Sequence, residues 1–94
     1  MSILDVYVSS HCFGCDEALR LAEATARRFP GLRVRVVDLD RAPEARPEHL
    51  VAVPTYMLDS QVIALGNPLQ RDLFRQIADL LGATAWKDDR NGAS

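Results

Sequence analysis

Several things are scarce in this 94-residue sequence, and each shortage removes a class of protein. Cysteine occurs twice only, as Cys12 and Cys15, too rarely for a disulfide-built scaffold. No segment approaches eighteen consecutive apolar residues, so a membrane-spanning helix is not expected. The opening Met1-Ser2-Ile3-Leu4-Asp5 has no positive flank and Asp5 interrupts the first apolar stretch. A signal peptide is therefore not expected, and the cytoplasm is the expected compartment. Basic charge is not in excess: eleven Lys and Arg against thirteen Asp and Glu leave a net charge of -2. That balance argues against a phosphate-backbone partner. Repeats and low-complexity runs are also missing. What remains is a globular balance, 48% apolar and 26% charged, in a length that supports one core. Neither nucleic acid nor a membrane is an expected partner, and the chain is expected to be a monomer.

The pattern along the chain predicts seven elements. Ile3 to Val8 is rich in β-branched and aromatic residues and reads as a mostly buried strand. From Cys15 to Phe29, Cys15, Ala18, Leu19, Ala22, Ala26 and Phe29 recur at three and four spacing, an amphipathic helix that Pro30-Gly31 stops. Leu32 to Asp38 alternates as a second strand. Pro43 and Pro47 limit any helix between Asp40 and Leu50 to one or two turns, starting near Pro43 or Glu44. Residues 55–58 and 61–65, separated by Asp59-Ser60, read as a hairpin. Asn67 reads as the N-cap of a last helix, with Pro68 in its first position and Gln70 completing a capping box. Leu69, Leu73, Phe74, Ile77, Leu80 and Leu81 form the stripe of that helix, which Gly82 ends. The domain is thus expected over 1–82, with 83–94 an aperiodic C-terminal tail whose Trp86 is available to fold back.

The cysteines carry the chemistry. Two cysteines placed at random in a chain of this length fall three apart in about 2% of placements, so the spacing is informative. Cys12 falls at or just before a helix N-terminus, where unpaired backbone N–H groups and the helix dipole favour an anion, so its thiolate is stabilised and it is the expected nucleophile. Cys15 lies one turn along and further inward, as a resolving thiol would. Two other readings use the same residues: a buried structural pair without chemistry, and a soft-metal site for Cu(I) or Zn(II), with His11 a conceivable third ligand. The small metal chaperones of ferredoxin-like fold share a cysteine pair between a strand and a helix. They end on a strand, however, and this pattern ends on a helix.

Taken in order, the elements make a strand-helix-strand unit joined to a hairpin, an α/β arrangement with one mixed sheet. Three landmarks then resemble the thioredoxin-like superfamily: His11-Cys12-Phe13-Gly14-Cys15 after the first strand, Asp38-Leu39-Asp40 ending the second, and Val53-Pro54-Thr55 opening the third. The resemblance implies a thioredoxin-like fold, a mixed four-stranded sheet flanked by helices in the order β-α-β-α-β-β-α. It also implies a thiol-disulfide oxidoreductase with Cys12 and Cys15 as its catalytic dithiol. A non-catalytic interaction module on the same fold is the remaining alternative. By the same resemblance Pro54 is cis, and Val53, Pro54 and Thr55 bind substrate, with the Val53 backbone pairing to an extended segment. Gly66 and Asn67 join that surface; the amides opening the last helix offer a place for a carboxylate. The implied partners are a disulfide-containing protein substrate and an electron donor, either a reductase or glutathione. No cofactor and no resident metal is expected.

The departures are as informative. His11 stands where thioredoxins carry a tryptophan and, if protonated, further favours the Cys12 thiolate. Phe13-Gly14 replaces the usual Gly-Pro and so tunes the redox balance. The buried acid of thioredoxins corresponds to Val6 and its lysine partner to Val36, while Asp5 is one residue off and points to the other face. Tyr7 matches an aromatic of glutaredoxins, but Ser9, Ala52 and Gly66-Asn67 depart from their glutathione signature. His49 carries no expected role, and Tyr56 and Met57 are read as strand residues filling the sheet faces.

Overall fold

A computed structural model describes residues 2–93 apart from His11, with side chains described through residue 82. Strand β1 spans Ile3–Val8, helix α1 Cys15–Arg28 and β2 Arg33–Asp38. A single 3-10 turn follows over Pro43–Ala45, then β3 over Thr55–Leu58, β4 over Gln61–Leu65 and α2 over Gln70–Ala93. The four strands form one mixed sheet in the order β2-β1-β3-β4. β1 runs parallel to β2, and antiparallel pairs join β1 to β3 and β3 to β4.

Strand periodicity sorts the core. On one face Leu4, Val6 and Val8 of β1 join Tyr56 and Leu58 of β3, and both long helices pack there through Cys15, Ala18, Leu21, Ala22, Leu73 and Ile77. The opposite face buries Tyr7 and Met57 beneath Leu39 and Leu50, which the segment between β2 and β3 supplies. The second helix of the expected order is thus one 3-10 turn, as closely spaced prolines dictate.

Three details correct the reading of the sequence. In α1 the buried stripe is Cys15, Ala18, Leu21, Ala22 and Thr25, whereas Leu19 is 45% exposed and Ala26 lies outside. Thr25 fits this buried line because its hydroxyl donates to the Leu21 carbonyl at 2.7 Å, leaving no unpaired polar atom. Helix α2 starts at Gln70, not at Pro68, with the Leu69 carbonyl accepting from the Leu73 amide, so Asn67 is not its N-cap. Leu69, consequently outside the first turn, is 61% exposed. The helix also does not stop at Gly82: one glycine costs about 1 kcal/mol against alanine, and no proline follows to end the run. The expectation for Trp86 lies outside the described residues.

The β3–β4 hairpin forms over the expected two residues, Asp59 and Ser60, both at positive φ of 50° and 73°. This matches the twist of the strands it joins. A bulge opposite Tyr56 and Met57 leaves Ile63 as the extra residue of β4, turned into the helix-covered core.

Candidate active site

The register brings the chemistry together at one end of the sheet. Tyr7 of β1 lies opposite Thr55 of β3, and Thr55 opposite Leu65 of β4. The loop after β1, the Val53-Pro54 segment before β3 and the Gly66-Asn67 segment after β4 therefore leave the sheet side by side. β2 ends there as well, with Val8 beside Asp38 and the Leu39 amide donating to the Val8 carbonyl at 2.9 Å. Asp40 closes the rim by accepting from the Ser10 amide at 2.6 Å and from the Ser10 hydroxyl.

In this rim Cys12 and Cys15 are joined as a disulfide with a Cα–Cα distance of 5.5 Å. Cys15 opens α1 and is buried at 6% exposure within the helix-covered core, while Cys12 packs on that core from outside and is half-buried. The two cysteines thus differ in exposure. Asp16 and Glu17 also lie in the first turn of α1, but Arg20 pairs with Glu17 at 2.6 Å and holds its carboxyl below the usual range.

The intervening residues play unlike parts. Phe13 extends fully into solvent. Gly14 caps α1 at φ 85°, a left-handed conformation that glycine adopts without steric cost. His11 lies outside the described residues, so its modulating role stays an expectation.

The neighbouring segments are ordered by hydrogen bonds. The Val53–Pro54 bond is cis, and the Pro54 carbonyl accepts from the Gly66 amide at 2.8 Å. Thr55 is fully buried and its hydroxyl donates to the Ala52 carbonyl at 2.6 Å, so its side chain braces the loop from below. Asn67 has both ends of its carboxamide engaged: Nδ2 donates to the Gly14 carbonyl at 2.7 Å, and Oδ1 accepts from the Tyr56 hydroxyl at 2.8 Å. The sequence marked Tyr56 as strand filling alone. The available signal was that a buried tyrosine hydroxyl needs a partner. Burial raises the Tyr56 hydroxyl well above its ordinary pKa, so it stays protonated as a donor.

No acid faces Cys15 from the strand beneath it. Val6, fully buried in the cluster that holds Cys15, lies in register with Val36 and Tyr56. Asp5 sits on the other face, where Arg35 binds it through two hydrogen bonds of 2.7 and 3.1 Å. Tyr7 is buried on that same far side. Among the described residues no three His, Cys, Asp or Glu side chains gather as a metal site.

Sheet order, the helix-entry Cys-x-x-Cys and the placement of Val53-Pro54 define a thioredoxin-like fold. The sequence matches no protein-family model and no curated protein. Solved structures do match. Thioredoxin from Fasciola hepatica superposes with a TM-score of 0.67 at 22% identity, over 82% of this chain and 78% of that one. Thioredoxin from Trypanosoma brucei brucei gives 0.69 at 16% identity, over 87% and 76%. Thioredoxin-2, a component of malaria parasite protein secretion machinery, gives 0.68 at 19% identity, over 84% and 82%. At these identities the likeness establishes the fold. The ferredoxin-like architecture considered from the cysteine spacing does not form.

Proposed function

We propose that this protein is a thiol-disulfide oxidoreductase whose working group is the Cys12–Cys15 couple. The observation that carries the reading is the placement of the pair: an accessible sulfur before the α1 N-terminus and a buried one at its first residue. In the reducing direction the Cys12 thiolate attacks a substrate disulfide, forming a mixed disulfide and expelling one substrate thiolate, which takes up a proton. Cys15 then loses its proton and attacks the Cys12 sulfur. The Cys12–Cys15 bond forms, the second substrate thiolate leaves, and two electrons have passed to the substrate. A thiol or reductase donor returns the dithiol. Val53 and Pro54 provide the backbone beside which an extended substrate segment lies, with Gly66 and Asn67 at its border.

Peptide mapping after brief alkylation of the reduced protein near neutral pH tests the roles. Cys12 is expected to label first, and Cys15→Ser to accumulate mixed disulfides with protein disulfides while Cys12→Ser accumulates few. First labelling at Cys15 overturns the assignment.

A further inference from the structure

The exchange chemistry leaves the contacts of Asn67 unused, and their direction is determined by which groups can donate. The Gly14 carbonyl can only accept, so the end of the carboxamide that faces it at 2.7 Å is the NH2 group. Oδ1 then faces the Tyr56 hydroxyl at 2.8 Å, which donates. Tyr56 is fully buried in the core, so this chain of bonds is anchored on the sheet. At its other end, the Gly14 carbonyl also accepts from the Ala18 amide at 3.0 Å, and its peptide carries the nitrogen of Cys15. The approach is tight: a Cβ on Gly14 would stand 2.8 Å from Nδ2.

We propose that Asn67 is a positioning residue for the Cys12–Cys15 couple, gripping the Gly14–Cys15 peptide from the β4–α2 connection so that the two sulfurs are held at bonding separation. The inference rests on the redox reading above and assigns that site an internal control of its potential. A clamp that restricts the loop between the thiols raises the effective concentration of one at the other. The disulfide is thereby favoured over the dithiol, and loosening the clamp makes the couple more oxidising.

The test uses the full-length protein equilibrated against mixtures of oxidised and reduced dithiothreitol, with the oxidised fraction read by alkylation and mass. Asn67→Ala is expected to weaken the disulfide three- to tenfold, a rise of about 15–30 mV at about 30 mV per tenfold for a two-electron couple. Asn67→Asp keeps the size and the acceptor for Tyr56 but cannot donate to the Gly14 carbonyl, so its rise is expected to equal or exceed that of Asn67→Ala. Tyr56→Phe frees the carboxamide to swing and is expected to move the potential in the same direction by less. Unchanged potentials in folded Asn67→Ala and Asn67→Asp variants overturn the proposal; should either fail to fold, an unchanged potential in the remaining variants does so. Disulfide reduction by the unaltered protein is assayed alongside. Potentials that shift in a protein that turns over no disulfide refute the redox reading while leaving the clamp standing. Turnover with unmoved potentials refutes the clamp alone.

Discussion

As the resolving thiol of the proposed reaction, Cys15 must give up a proton, and the described strand beneath it presents no acid to receive one. Burial disfavours a thiolate, and the strand beneath presents Val6, fully buried, in register with half-exposed Val36. Proton removal therefore falls to water, to the leaving thiolate or to His11, and the resolving step is expected to be slower than in a thioredoxin that carries the acid. Val6→Asp is expected to accelerate resolution of a trapped mixed disulfide at neutral pH, measured by stopped-flow under single turnover. An unpaired buried carboxylate costs several kcal/mol, so the companion variant Val6→Asp with Val36→Lys supplies a partner from the adjacent strand. A folded variant with an unchanged resolving rate shows that proton removal is not limiting. That Val6 stands in the place of an acid follows from the resemblance to thioredoxins, whereas the opposite facing of Asp5 was legible from strand alternation alone. The link from Tyr56 to Asn67 was not, since it joins residues eleven apart through side chains that local patterning does not pair.

Single elements show where periodicity sufficed and where it misled. The hairpin was readable because a two-residue Asp-Ser connection between apolar strands has few alternatives. Asp59 also ties the turn to the start of β1, its carboxylate accepting from the Ile3 amide at 2.8 Å and its own amide donating back to the Ile3 carbonyl at 2.9 Å. Ser60, at φ 73°, carries a side chain in a conformation that costs about 1–2 kcal/mol for non-glycine residues. Part of that is returned as unfolded-chain entropy in glycine, so Ser60→Gly is expected to stabilise by about 0.5–1 kcal/mol. The melting midpoint rises by several degrees in a domain of this size. A lowered midpoint in differential scanning calorimetry contradicts the account. By contrast, the α1 stripe shared Cys15, Ala18 and Ala22 with the buried line but took Leu19 and Ala26 in place of Leu21 and Thr25, because alanines on two faces make the apolar arc too broad to orient. Asn67 suits an N-cap by residue type, but its carboxamide serves Tyr56 and Gly14 and the helix begins later.

At the scale of the whole molecule, the parallel β1–β2 pair and the antiparallel β1–β3–β4 pairs direct four chain segments to one sheet end, and there the cysteine pair sits. The same topology bears on metal. Two thiolates fill half of a tetrahedral site, and no third ligand joins them among the described residues. Reduced protein titrated with Cu(I) or Zn(II) against a free dithiol is thus expected to hold either ion no more tightly than the competitor. Stoichiometric retention without disulfide turnover would make the pair a metal carrier instead. By itself the sequence determined the element order, the hairpin turn, the helix-entry cysteines and the opposite facing of Asp5 and Val6. Each of these is a local matter of spacing, residue type and strand alternation. Tertiary structure alone decided that both long helices share one face of the sheet, that Leu21 and Thr25 rather than Leu19 and Ala26 are buried, and that Asn67 bridges Tyr56 to Gly14. Those outcomes depend on how far apart separately formed elements come to rest, and a close-packed core fixes such distances only after every element has docked.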